Sequence, residues 1–162
     1  MKFGGLLSAA CMFFFAADCD KTLVFYDDLA NEFPTSMINL PPSSGSGAVG
    51  YVSPEALVHL DEISLEAPIV CVSGMRSSTM QQRQKYFPMI NLWITENGGR
   101  IFERSNVGGK SVVVENEDYI KYVDNMVTAR DWEVFNQFAE KLNGEGFIVD
   151  RLDYKTMYVA LQ

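Results

Sequence analysis

Two aspartates, Asp18 and Asp20, stand two residues apart directly after an apolar run. Ligands of open parallel sheets bind at the carboxyl ends of strands, so such a loop is well placed for chemistry. Phosphoryl transfer through a protein needs a nucleophile and a proton donor for the leaving oxygen. The pair predicts Asp18 as nucleophile and Asp20 as acid and then base, with Thr22 orienting the phosphate through its hydroxyl. Taken alone, the Asp-x-Asp spacing is common on solvated loops.

A second polar group follows the next apolar run, where Ser73-Gly74 comes after residues 68–72 and Arg76 stands just beyond. A helix N-terminus with a nearby guanidinium suits an anion, which makes Arg76 a candidate phosphate ligand. Ser73-Gly74 read alone favours a strand-ending turn, and its position and order relative to Asp18 favour the phosphate-binding role instead. Arg83, further along this helix, is either an anion ligand or a solvated surface residue.

The apolar run before Asp18 has two competing interpretations. We favour a fully buried strand over residues 11–17, because a short apolar run that stops at an acidic loop is typical of a central parallel strand. The alternative is a secretory signal peptide over residues 1–17, which would make the protein secreted. A membrane-spanning helix fits less well, since the run is short and is broken by Gly4-Gly5.

The elements that follow predict an α/β fold with a parallel sheet. Residues 34–50 read as polar and irregular, and residues 41–47 as an exposed flexible loop. Ser53 then caps a helix that begins at Pro54 and should pack on the sheet. The further predicted elements are a strand at 68–72, a polar helix at 77–86 and a strand at 90–95.

In the last third of the chain, the predicted strands and helices no longer alternate. Two short strands are predicted at 100–103 and 111–115, then helices at 118–126 and 131–142. An antiparallel pair of strands is predicted at 147–149 and 157–161. The second helix carries one apolar face, formed by Trp132, Phe135, Phe138, Ala139 and Leu142. This α+β pattern predicts a cap or insert, with a boundary near residue 104.

Composition narrows the possible partners. The 162 residues are 48% apolar and 21% charged, which is ordinary for a globular chain, and the net charge of −8 would repel nucleic acid. A divalent cation is the usual means of offsetting such charge at a phosphate site. The three cysteines lack the spacing of a zinc site or disulfide framework and favour a reducing, cytoplasmic compartment.

The string from the apolar run through Asp18-Cys19-Asp20-Lys21-Thr22-Leu23 resembles the signature of haloacid-dehalogenase-like (HAD) phosphatases. Lys21 stands where that family most often has Gly. Ser73-Gly74 resembles the family's second motif, in which the hydroxyl binds the transferring phosphate. Glu96-Asn97-Gly98-Gly99 resembles the turn that joins core to cap in HAD sugar phosphatases, where we interpret Asn97 first as a structural residue.

The resemblance implies a Rossmann-like HAD core over residues 1–104 and part of an α+β cap over 105–162. It also implies Mg²⁺ held by Asp18 and Asp20, and a phosphate bound by Thr22, Ser73, Gly74 and Arg76. The predicted function is hydrolysis of a small phosphorylated metabolite, such as a sugar phosphate, through an aspartyl-phosphate at Asp18, with no nucleic acid or membrane as partner.

Two motifs of the HAD family, a lysine that steadies the aspartyl-phosphate and an acidic pair that completes the Mg²⁺ site, do not appear in this sequence. Whether the chain alone is an enzyme is therefore open. One alternative is a catalytically inactive remnant or interaction module, and another is a phosphomutase. The sequence does not indicate the substrate or the oligomeric state.

Overall fold

The computed structural model describes residues 13–26, 36–150 and 159–161. Strands and helices follow one another in the order β1 (Phe15–Asp18), β2 (Ile38–Leu40), β3 (Gly50–Val52), α1 (Pro54–Glu66), β4 (Ile69–Val72), α2 (Ser77–Arg83), β5 (Ile90–Thr95), β6 (Arg100–Val107), β7 (Lys110–Glu115), α3 (Glu117–Met126), α4 (Ala129–Gly144), β8 (Ile148–Asp150) and β9 (Val159–Leu161). The predicted α/β class is confirmed.

A five-stranded mixed sheet forms the centre of the described structure, in the order β1-β4-β5-β6-β7. β1 is parallel to β4 and β4 to β5, as the strand and helix alternation predicts. β6 and β7 then add antiparallel to the same sheet. The register sets Asp18 opposite Val72, so the loops that follow β1 and β4 leave the sheet side by side.

The core lies around β4 and β5, where Ile69, Cys71, Ile90 and Trp93 are all at most 1% exposed. α1 begins as predicted, because the Ser53 side chain accepts a hydrogen bond from the Ala56 amide and Pro54 occupies the first turn. Its Leu57, Leu60 and Ile63 join the core cluster. The helix therefore packs against the core through the apolar face that the spacing of these residues predicts.

The expectation of a fully buried strand before Asp18 is wrong for the described residues. β1 runs only from Phe15 to Asp18, and of its four residues Ala17 alone is buried. Phe13 is 75% exposed and Phe14 is 61% exposed. The reason is topological: within the described part of the chain β1 pairs with β4 on one side only, so its apolar residues lack cover. Residues 1–12, on which the signal-peptide alternative depends, lie outside the described part.

Residues 36–52 are more ordered than predicted. β2 and β3 form an antiparallel hairpin that the polar composition did not indicate. The segment between them, residues 41–49, is tied to α2 at Ser44, whose amide donates to Thr79 Oγ1 (3.0 Å) and whose hydroxyl contacts Ser78 Oγ (2.7 Å). Leu40 and Val52 enter the core, and the backbones of Phe25 and Tyr51 exchange two hydrogen bonds, so the hairpin packs beside the loop after β1.

The last third contains the predicted elements, with β6 and β7 longer than predicted; residues 157 and 158 of the last predicted strand lie outside the described part of the chain. β6 continues to Val107 and pairs with β7 along six residue pairs, so the predicted boundary near residue 104 falls inside a strand of the main sheet. The division into core and cap stays a prediction. The predicted apolar face of α4 is only partly covered, because Ala139 is buried but Phe135 and Phe138 are 53% and 58% exposed.

Of the helices that the structure describes, none is long and apolar enough to cross a membrane.

Candidate active site

The loop after β1 is a tight turn held by its own backbone. The amides of Leu23 and Val24 both donate to the Cys19 carbonyl, at 3.0 and 2.8 Å, and the Lys21 amide donates to the Val24 carbonyl at 2.7 Å. Lys21 has φ of 62°, in the left-handed region that glycine adopts most easily. A glycine at this position, as the HAD signature most often has, would suit this backbone.

Asp20 and Ser73 come together although they are 53 residues apart in sequence. The Ser73 hydroxyl donates to Asp20 Oδ2 at 3.1 Å and accepts from the Met75 amide at 3.0 Å. Ser73 is only 4% exposed, and its amide donates to the Ile94 carbonyl on β5. The two predicted motifs therefore meet at the carboxyl ends of β1 and β4.

The other oxygen of Asp20 is held by Tyr26. The Tyr26 hydroxyl donates to Oδ1 at 2.5 Å. Burial raises the pKa of Tyr26 from 10 to about 12, and the hydrogen bond to Asp20 adds to this shift. Tyr26 is therefore a protonated donor throughout the neutral range. Sequence analysis missed it, because no local pattern signals a partner six residues downstream of an aspartate.

Arg83 lies behind Tyr26 and is 1% exposed, so its interpretation as a solvated surface residue is wrong. Its Nη1 donates to the Tyr26 hydroxyl at 3.2 Å, and the guanidinium lies 5.7 Å from the ring centroid. Nε donates to the Pro41 carbonyl at 3.0 Å, and Nη2 to the Ala48 carbonyl at 3.4 Å. The anion-ligand alternative gains no support, since the described partners are two carbonyls and a phenol.

The turn after β5 packs against the turn after β4. The Asn97 amide donates to the Ser73 carbonyl at 3.3 Å, and the Glu96 amide donates to the Met75 carbonyl at 3.1 Å. A Cβ at Gly74 would lie 2.9 Å from Asn97 Oδ1, so the absence of a side chain there permits the contact. These contacts support the structural interpretation of Asn97, whose φ of 53° is one that asparagine tolerates.

The remaining predicted ligands lie in different surroundings. Asp18 and Thr22 are exposed. Arg76 is 4% exposed, and a side chain at Gly45 would collide with its guanidinium, so the segment between β2 and β3 packs directly on it. The phosphate-binding roles of Thr22, Gly74 and Arg76 stay predictions.

The buried carboxylate of Glu96 was not predicted from the sequence to be a site residue. Glu96 is 2% exposed and accepts a hydrogen bond from the Ser77 hydroxyl at 2.7 Å, and Ser77 also contacts Thr95 Oγ1 at 3.2 Å. Its position directly after β5 was the available signal. Glu96 thus joins the start of α2 to the end of β5.

The single histidine lies on the protein surface, and the loop cysteine lies in the core. His59 lies on the exposed face of α1 beside Glu62, with its Nδ1 3.2 Å from Glu62 Oε2. Cys19 is 1% exposed. A hydrogen bond with Cys71, and then burial, raise the pKa of the Cys19 thiol well above its usual value. Because the thiolate is the nucleophilic form, Cys19 is a poor nucleophile and a packing residue of the loop.

The predicted donor set for Mg²⁺ consists of the carboxylates of Asp18 and Asp20. Among the described residues no group of three or more His, Cys, Asp or Glu side chains gathers around a possible metal position. Asp18 is exposed, and both oxygens of Asp20 already accept hydrogen bonds. This set fits a Mg²⁺ that keeps most of its waters and is completed by a substrate phosphate, and it does not fit an all-protein cage.

Comparison with protein-family models finds none that matches the chain, and comparison with curated proteins finds no match either.

Proposed function

We propose that this chain belongs to the HAD phosphatases and hydrolyses phosphomonoesters of small metabolites through an aspartyl-phosphate at Asp18. The observation that carries the proposal is the hydrogen bond between Asp20 and Ser73. It joins two motifs that were recognised separately in the sequence. Their meeting point, where the parallel strands β1 and β4 end, is also where the ligands of open α/β sheets bind.

In the proposed reaction, an oxygen of Asp18 attacks phosphorus and the bond from phosphorus to the ester oxygen breaks. Asp20 gives its proton to the departing oxygen and then takes a proton from the water that hydrolyses the aspartyl-phosphate. The hydroxyl of Thr22 donates to the phosphate, and the Ser73 hydroxyl turns from Asp20 Oδ2 to donate to it as well. The exposure of Asp18 supports its role, because the attacking oxygen has to reach a substrate from solvent.

Asp18 and Asp20 are the residues that would hold Mg²⁺ in this proposal. The ion, when bound, supplies positive charge that stabilises the phosphoryl oxygens. It is also the cation that a chain of net charge −8 would use to bring a phosphate ester to two carboxylates.

The buried free thiols Cys19 and Cys71 agree with a reducing compartment, so we propose a cytoplasmic location for the enzyme.

Release of phosphate from p-nitrophenyl phosphate, with and without Mg²⁺, tests the proposal. We expect Mg²⁺-dependent release from the wild-type chain and at least a 100-fold lower kcat in Asp18→Asn, since the amide is a poor nucleophile. Asp61→Asn, which makes the same change on the exposed face of α1, serves as the matched control and should be unaffected. Equal activity in Asp18→Asn and wild type would exclude the aspartyl-phosphate route.

A second candidate function is an inactive, HAD-like interaction module. It is favoured by the hydrogen bonds of Asp20. Both of its carboxylate oxygens accept hydrogen bonds from within the protein, as expected of a residue with a structural role. This candidate predicts no phosphate release from a folded wild-type chain, together with loss of thermal stability in Asp20→Asn. The first candidate predicts release.

A further inference from the structure

We propose that Tyr26 and Arg83 are positioning residues that hold the carboxyl group of Asp20 in the one orientation in which its second oxygen faces Ser73. The inference rests on the proposed function, and it concerns two residues that the resemblance does not assign. Neither needs to touch the substrate. Both act through the carboxyl group of Asp20.

The first step is that the two oxygens of Asp20 accept hydrogen bonds from different donors. Oδ1 accepts from the Tyr26 hydroxyl at 2.5 Å, which is the shorter of the two contacts. Oδ2 accepts from the hydroxyl of Ser73 at 3.1 Å, and Ser73 is one of the proposed phosphate ligands. A carboxyl group anchored at one oxygen cannot rotate freely, so the other oxygen keeps one direction.

The second step is the direction of the Tyr26 proton. A phenol has one proton to donate, and its oxygen also accepts hydrogen bonds. Arg83 carries only donors, and its Nη1 donates to the Tyr26 oxygen at 3.2 Å. The phenol proton is therefore directed to Oδ1.

The third step is the rigidity of Arg83. The guanidinium donates to the carbonyls of Pro41 and Ala48, which lie on either side of the turn between β2 and β3. A Cβ at Gly50 would come within 3.0 Å of Nη2, so the backbone of β3 also packs closely on it. The β2–β3 hairpin thereby fixes Arg83, Arg83 fixes Tyr26, and Tyr26 fixes Asp20.

The test compares two substrates in Tyr26→Phe, which removes the hydroxyl and keeps the ring under Arg83. p-Nitrophenolate leaves with little help from an acid, whereas the alkoxide of glycerol 2-phosphate needs a proton. We expect kcat/KM for glycerol 2-phosphate to fall at least about 10-fold more than kcat/KM for p-nitrophenyl phosphate. Since kcat/KM does not include the later hydrolysis of the aspartyl-phosphate, the ratio isolates departure of the leaving group.

The matched control is Tyr122→Phe, the same change on an exposed tyrosine of α3, which should leave both values unchanged. Equal losses for the two substrates in Tyr26→Phe, or no loss, would overturn the positioning role, because a general structural defect does not distinguish leaving groups.

Thermal unfolding of Tyr26→Phe, Asp20→Asn and the double variant provides a readout that does not need turnover. Losses in the double variant that are smaller than the sum of the single losses support the contact. Additive losses overturn it. If the wild-type chain releases no phosphate while the coupling is present, the proposed function fails and the catalytic part of this inference fails with it, leaving a structural contact.

Discussion

Lys21 shows how the loop after β1 is built at the scale of single residues. Its amide donates to the Val24 carbonyl, and this closes the turn with φ of 62°. An L-residue with a Cβ is strained in the left-handed region by roughly 1–2 kcal/mol. The lysine side chain itself is exposed and offers no compensating burial.

We therefore expect Lys21→Gly to stabilise the chain, by about 0.5–1 kcal/mol after allowing for the greater freedom of glycine in the unfolded state. Urea unfolding measures the change. Lys110→Gly, at the start of β7 where φ is not positive, serves as the control and should destabilise by up to about 1 kcal/mol. A loss of stability in Lys21→Gly would show that the strain is not relieved there.

At the scale of elements, side chains at the first turns of α3 and α4 determine where these two helices begin. Thr128 and Asp131 form a reciprocal capping box at the start of α4. Asn116 caps α3, and Tyr119 in its first turn donates to the Gly98 carbonyl at 2.6 Å, next to the turn after β5. Local hydrogen bonds thus orient the helical part of the last third.

The capping box makes α4 sensitive to acid. Hydrogen bonds from the Thr128 side chain, and then from its backbone amide, lower the pKa of Asp131 below 3.8. A lowered pKa in the folded state means that the contribution to stability is present above the unfolded pKa and is lost as pH falls through the folded value. Carbon-detected NMR titration of Asp131 should show this lowered pKa, and Thr128→Ala should raise it. An unchanged value in Thr128→Ala would contradict the capping geometry.

At the scale of the whole molecule, Arg104 joins the last third of the chain to the central core. Its Nε donates to the Ile90 carbonyl at 2.9 Å, and its Nη2 donates to the carbonyls of Gln84 and Phe87, both at 3.2 Å. The residue lies at the predicted boundary between core and cap. Its contacts tie β6 to the chain that leads into β5.

The single ammonium group of lysine cannot make the hydrogen bonds that Nε and Nη2 of Arg104 make to these carbonyls. We therefore expect Arg104→Lys to destabilise the chain by about 1–3 kcal/mol. Arg130→Lys, on the exposed first turn of α4, is the matched control and should change stability by less than about 0.5 kcal/mol. Urea unfolding followed by fluorescence of the buried Trp93 measures both. Equal effects would mean that the carbonyl contacts contribute nothing.

The sequence by itself determined the order and type of most elements. The apolar runs predicted β4 and β5, and Ser53-Pro54 predicted the start of α1. These signals are local, because caps, turns and periodicity depend on residues within a few positions of one another. The same locality made the Asp18–Asp20 loop and Ser73 recognisable as candidates.

Only the tertiary structure decided which side chains meet. Tyr26 and Arg83 surround Asp20 because the β2–β3 hairpin packs beside the loop after β1, and no sequence spacing encodes that contact. The exposure of Phe13 and Phe14 likewise depends on which strands flank β1. Hydrophobicity states what a residue prefers, whereas burial depends on the neighbours that long-range packing supplies.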